Sequence, residues 1–319
     1  MTELKQNTQY GFAIVCDSGC DFADKFYGKH DVNLVPFHVR LGSEDYLDII
    51  ETVPEDFYVK YESTRKKVIT SQPSPAEFLE VYEKLIAEGY TKIISIHASS
   101  EVSGSYESAL SAIADIPEDI LIEVIDTKTI SAAEGFIVAD TIAMRDADID
   151  FDTVVAHAKN LSSAVRLYFV PMQKNALNSK KACERGVFAR MHKVMDSAFG
   201  VRFLEHLDEE GKIATVATSP NILNSAGRIA RIMSGDAQVA GTLRYVEINA
   251  GAPNALSLLE KPLDTNEFES QQAGIASAGP ALTCHIGIGS VGIAYIPEDM
   301  LFDKDFAGHN SWNIEDSLL

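Results

Sequence analysis

Between residues 74 and 142 the chain alternates capped helix patterns with short apolar strands, and this alternation restricts its fold more than any other feature. Ser74, Pro75 and Glu77 stand as a capping box, with the serine at the N-cap, the proline at the first helical position and the glutamate at the third. Phe78, Leu79, Tyr82, Leu85 and Ile86 recur at helical spacing, and Gly89 supplies a stop. Residues 93–96 form an apolar run of the kind that is covered on both faces of a sheet. A loop over 98–102 leads to Ser103, placed to cap a second helix carrying Ala109, Leu110 and Ile113. The third unit is a strand over 121–125, then Ser131 with Glu134 as another capping box before Phe136, Val138 and Ile142. Strand and helix in this rhythm predict an α/β fold, with a parallel sheet, right-handed crossovers and flanking helices.

Two hydroxyl-bearing segments, Thr70-Ser-Gln-Pro-Ser74 and Ser103-Gly-Ser-Tyr106, each precede a predicted helix. The first amides of a helix lack intrahelical partners and carry partial positive charge, so an anion is stabilised there without Lys or Arg. In open α/β sheets ligands gather beyond the carboxyl ends of the strands, where these loops are expected. The Ser and Thr hydroxyls of these two segments are therefore candidate donors to one small anionic group. Asp17 and Ser18 end the first predicted strand at the same edge, where an aspartate serves either a turn or a site.

Further along, a helix over 151–161 closes the first predicted domain, residues 10–164, and the strand beginning at Val165 opens the second, residues 165–319. That second domain reads as mixed α/β, with strands over 213–218, 238–248 and 291–296 and a helix over 222–233. The chain's 319 residues suffice for two cores. A net charge of -20 argues against a nucleic-acid or anionic-membrane surface. The polar N-terminus lacks the apolar centre of a signal peptide, and no apolar run is long enough to span a membrane, so a cytoplasmic protein is expected. Four cysteines in a chain of this size make no disulfide framework, and Cys16 and Cys20 have no second pair at metal-ligand spacing. No metal or cofactor is expected.

Several segments together resemble the DegV family of fatty-acid-binding proteins. They are the start at Ala13-Ile-Val-Cys-Asp-Ser-Gly-Cys-Asp-Phe22, then Val35-Pro-Phe-His-Val39, Tyr46-Leu-Asp48, Thr70 to Phe78, Ile96 to Tyr106, Val124 to Ser131, and His285-Ile-Gly-Ile-Gly-Ser-Val-Gly292. The resemblance implies a two-domain protein that holds one long-chain fatty acid between its domains. It further implies presentation of the carboxylate to a fatty acid kinase, with the acid or acyl-phosphate carried by a protein that is not itself a catalyst. By position it assigns Thr70, Ser71, Ser103, Gly104 and His285 to the carboxylate. Where the family commonly has a Gly-Gly-Arg stretch, associated with the partner face, this chain runs from Met172 to Val187 without one.

Two other readings compete. Ser103 or Ser105 with His285, oriented by Asp17, would make a serine-dependent acyl hydrolase, although the Gly-x-Ser-x-Gly elbow is missing. The other is a binding module for a different anionic amphiphile, such as an acyl-phosphate or lipid metabolite. Gly287 to Gly292 fits the glycine string of a dinucleotide fold, but strand chemistry follows it where that motif requires a helix. Those glycines are expected to permit a close backbone approach.

Overall fold

The computed structural model describes residues 9–63, 68–172, 201–264 and 268–304. Four strands, β1 (Ala13–Asp17), β2 (Val32–Val35), β6 (Lys92–His97) and β7 (Leu121–Asp126), form an all-parallel sheet in the order β2-β1-β6-β7. A small antiparallel sheet, β4-β3-β5, joins β3 (His38–Leu41), β4 (Glu44–Leu47) and β5 (Val68–Ser71). The largest sheet is mixed and ordered β10-β9-β8-β13-β11-β12. Its members are β8 (Arg166–Val170), β9 (Arg202–Leu207), β10 (Ile213–Ser219), β11 (Leu243–Asn249), β12 (Ser270–Ser277) and β13 (Val291–Pro297).

The two-residue period of the strands sorts side chains into layers. From β1, Ala13 and Val15 pack with Phe78, Tyr82 and Leu85 of α3 (Pro75–Ala87) and with Ala109 and Ala112 of α4 (Ser105–Ala112). Ile14 and Cys16 turn the other way, to Phe136, Ile137 and Val138 of α5 (Ala132–Asp146) and Phe151 and Leu161 of α6 (Phe151–Ala164). The mixed sheet repeats the device. Leu167, Phe169, Val246, Ile248, Ala294 and Ile296 share the core of Ile14 and Phe136. Val291, Ile293 and Tyr295 face α7 (Ile222–Ala240) and α8 (Pro253–Asp264) through Ile229, Met233 and Leu259. The result is a helix–sheet–helix–sheet–helix sandwich with α5 near its middle.

Every residue from Ala132 to Arg145 is buried, so the polar groups of α5 must find partners. Arg145 donates to the carbonyls of His30 and Asp31 at 2.6 and 2.8 Å. Asp140 accepts the amides of Phe302 and Asp303 and pairs with His157 at 2.6 Å. The second of these ties the end of the chain's last described segment to the central helix.

The capping box at Ser74 and Glu77 forms as expected. Gly89, at φ 105°, closes α3 in a Schellman motif: its amide reaches Ile86 and that of Tyr90 reaches Leu85. The helix from Ile222 runs on to Ala240, past its expected end at 233, and the strand begins at Leu243 and not at 238. Ala237 packs against the core and Gly241, at φ 79°, provides the stop, neither of which apolar periodicity marks. Residues 173–200, which hold most of the Met172–Val187 stretch, lie outside the described residues. The proposed domain boundary at residue 165 falls between α6 and β8.

Candidate functional site

A cavity of about 570 Å³ opens beside the carboxyl ends of β1 and β6, and its wall includes Thr70, Ser71, Ser103, Gly104 and His285. All five sequence candidates thus meet on one space. Thr70 and His285, 215 positions apart, are joined directly, with Oγ1 and Nε2 2.7 Å apart. Burial lowers the His285 pKa, which favours the neutral imidazole. Ser71 and Gln72 are exposed, so this end of the cavity opens to solvent. Phe37, Val102, Ile130 and Leu282 give it apolar surface. Ile130 and Leu282 also border a narrow apolar crevice of about 10 Å³, lined further by Leu167, Phe169, Ile248, Ile286 and Val291.

His285 owes its place to a short helix, α9 (Pro280–Ile286), held at its amino end by two carboxyls from the first half of the chain. The Gly279 amide donates to Asp21 Oδ1 at 2.8 Å, and the Ala281 amide to Asp48 Oδ1 at 3.0 Å. The second oxygens accept hydroxyls: Ser131 donates to Asp21 at 2.5 Å and Ser18 to Asp48 at 2.7 Å. Ser18 in turn accepts the Phe37 amide. Both carboxyls border the cavity and are buried, and desolvation raises each pKa to about 7 against the opposing pull of their donors. Gly279 fits between them because it lacks a side chain; a Cβ there would lie 3.1 Å from Asp21 Oδ1.

Three expectations about local geometry need correction. Thr70 and Ser71 lie on β5 of the antiparallel sheet, paired with Val39 and His38, and not in a loop after a parallel strand. Ser103 is not the N-cap of α4. That position falls to Gly104, while the Ser103 hydroxyl accepts the Ser105 amide and donates to Ser105 Oγ. Ser131 occupies the N-cap of α5 at φ 62°, but its side chain makes no cap bond and is directed instead to Asp21, to which its hydroxyl donates. Glu134 is correspondingly buried against Cys20, with its pKa well above the usual carboxylate range through desolvation.

The same geometry bears on the hydrolase reading. Asp17 faces His97, with Oδ2 3.3 Å from Nδ1, and His97 Nε2 is 2.7 Å from Ser95 Oγ. This acid–imidazole–hydroxyl series is sealed: Asp17, His97 and Ser95 are each 0% exposed. It braces β1 against β6 and offers a substrate no approach. His285 instead faces a threonine. Gly292 follows the close-approach expectation, since a Cβ there would stand 2.8 Å from the Tyr168 carbonyl across the β8–β13 pair.

Sequence reasoning passed over Asp21, Asp48, Gln72, Ser100 and Ile130 as cavity residues. Asp21 and Asp48 lay within segments that carried the family resemblance, and a capped-helix search could not find them because their partners are 258 and 233 positions away. Among the described residues no group of three or more His, Cys, Asp or Glu is arranged to hold a metal ion. None of the described helices is long and apolar enough to cross a membrane.

Comparison with known proteins agrees with this architecture. A DegV domain-containing protein of Halalkalibacterium halodurans is 28% identical over 288 residues, covering 90% of this chain and 98% of that one. A DegV family protein from Thermus thermophilus, solved in a study of its fatty acid binding, superposes with a TM-score of 0.79 at 22% identity, over 90% of this chain and 99% of that one. A stearic acid-binding protein from Eubacterium ventriosum gives a TM-score of 0.74 at 19% identity, over 90% and 98%. At such identities the superpositions establish a shared fold. The family model described as "Uncharacterised protein, DegV family" matches residues 11–298, and with nearly the whole described fold inside that match, this chain belongs to the DegV family.

Proposed function

We propose that this protein binds one long-chain fatty acid, with the carboxylate among Thr70, Ser71, Ser103, the Gly104 amide and His285, and presents it to a fatty acid kinase. The observation that carries the reading is the convergence of those donors on one cavity of about 570 Å³ that adjoins an apolar crevice at Ile130 and Leu282. Cavities of roughly 300–1,000 Å³ hold single small ligands. Fatty acid binding by proteins of the same fold supports it.

The chemistry divides the work. The tail supplies affinity, at about 0.8 kcal/mol for each methylene buried. The hydroxyls and imidazole orient the head group and prevent an unpaired buried charge. Neutral donors also leave a carboxylate oxygen more nucleophilic than an Arg fork would. In the proposed transfer that oxygen attacks the γ-phosphorus of ATP and ADP departs, giving the acyl-phosphate. Metal and phosphate positioning belong to the kinase. The exposed Ser71 and Gln72 at the cavity mouth suit delivery of the head group to a second protein.

Denaturing the purified protein and identifying released lipid by mass spectrometry should yield close to one fatty acid per chain. An extract without lipid, together with no uptake of added palmitate or oleate, would end the proposal. Ser103→Ala should weaken binding by about 1–3 kcal/mol, the effect of leaving a charged group one donor short. Unchanged affinity in Ser103→Ala, Thr70→Ala and His285→Ala alike would move the head group elsewhere.

A further inference from the structure

The wall of the cavity is acidic. Among the described residues it carries Asp21, Asp48 and Glu101 and no Lys or Arg. An anionic head group entering this space therefore adds negative charge beside two carboxyls that are already withdrawn from water. Repulsion in so poorly screened a setting favours uptake of a proton by one of them.

The hydrogen bonding around the pair can accept that proton without releasing helix α9. Each carboxyl has one oxygen on a backbone amide, Gly279 or Ala281, and the other on a hydroxyl, Ser131 or Ser18. An amide can only donate, but a hydroxyl can donate or accept. On protonation the Oδ2 side reverses, the carboxyl donating to the serine oxygen, while Oδ1 still receives its amide. We propose that entry of an anionic head group is coupled to uptake of one proton by the Asp21–Asp48 pair, which tightens binding as pH falls. The proposal rests on the fatty acid reading of the same cavity.

Other ionisable groups face the pair from the elements packed around it. Asp17 lies behind Asp48 and repels its charge. Tyr58 faces both carboxyls and Tyr27 faces Asp21; burial pushes both phenols well up. Cys284, on the pinned helix, faces Asp48 and is likewise pushed up by burial. His285, at the far end of that helix, is held toward neutrality by burial. Asp21 and Asp48 are themselves raised to about 7.

Calorimetric titration of the delipidated protein with dodecanoate, in buffers of different ionisation enthalpy, counts the protons directly. Dodecanol, with the same tail and no charge, is the control. For dodecanoate we expect close to one proton taken up at pH 8, and a Kd that weakens roughly 20-fold between pH 6.5 and 8.5. Dodecanol should take up none. Asp21→Asn and Asp48→Asn mimic the neutral carboxyl, with the amide nitrogen donating to the serine, and should reduce both the uptake and the pH dependence. Dodecanoate binding without proton uptake overturns this proposal and leaves the fatty acid reading standing. Uptake seen equally with dodecanol, or surviving in the double variant and lost in His285→Gln, also overturns it. Absence of dodecanoate, palmitate and oleate binding at every pH removes the fatty acid reading and this proposal with it.

Discussion

Raising the pH from 5 to 7.5 should destabilise the protein, by about 3 kcal/mol for each of Asp21 and Asp48 and by less than the sum for the interacting pair. Both carboxyls have folded-state pKa values raised from 3.8 to about 7 by burial. A raised carboxyl pKa means that the folded chain holds more protons than the unfolded chain between those two values. Stability is therefore greatest below the unfolded pKa, falls as pH rises through the interval, and levels off above about 7. Glu205, also raised to about 7 by burial, pulls the same way. A loss of this size is a large share of the 5–15 kcal/mol typical of folded proteins. The net charge of -20 adds self-repulsion with the same sign, so the variants are needed to separate the two. Urea unfolding at pH 5, 6, 7 and 8 should show a midpoint that falls for the parent protein, falls less for Asp48→Asn, and falls least when Asp21→Asn is added, with Glu205 and the net charge supplying the remainder. A midpoint that is flat or rising over this range, or an Asp48→Asn profile parallel to the parent's, would contradict it.

That effect would be unusual in a protein whose carboxyls served only structure, because a buried acid is a weak source of stability. At Asp21 and Asp48 the carboxyls sit where two sheets and a short helix meet and pass position from one to the other. Asp48 follows β4, Asp21 follows β1, and both hold the start of α9, whose last turn carries His285 to Thr70. Asp48→Ala, unlike Asp48→Asn, leaves the Ala281 amide without its acceptor and should loosen His285 as well as the fold.

What could be read from the sequence follows the range of the interactions. The α3 capping box and its glycine stop are complete within residues 74–90, so local chemistry determined them and the reading was sound. The hydroxyls of residues 70–74 and 103–106 drew notice as helix starts and His285 through resemblance to a family; the structure lines one cavity with Thr70, Ser71, Ser103, Gly104 and His285, but it does not make Ser103 a helix cap. Ser131 illustrates the limit. Its spacing to Glu134 satisfies a capping box, yet the side chain is directed to the buried Asp21, to which its hydroxyl donates, and the glutamate turns inward to Cys20. Local propensity loses where a buried charge needs a donor, since an unsatisfied carboxyl is more expensive than an uncapped helix end. The antiparallel placement of Thr70 was hidden for a similar reason, because its partner Val39 belongs to a hairpin formed earlier in the chain.

Shortening the ligand should have the largest effect of any change at the site, and it tests whether affinity resides in the tail. Between palmitate and dodecanoate four methylenes are lost. At about 0.8 kcal/mol each this weakens binding by about 3 kcal/mol, roughly 200-fold in Kd, if all four are buried. The apolar crevice behind Ile130 and Leu282 would receive that part of the chain, between Leu167 and Phe169 on one sheet strand and Ile286 on the helix that carries His285. Its free space is only about 10 Å³, so a tail there must displace side chains, and the observed increment per methylene should fall below the transfer value as depth increases. Leu282 stands where cavity and crevice meet. Leu282→Phe should therefore penalise palmitate more than dodecanoate, whereas Thr70→Ala, at the head group, should weaken both by the same factor. Measuring both acids against both variants separates the ends of the site. Equal losses for the two acids in Leu282→Phe would place the tail on another path.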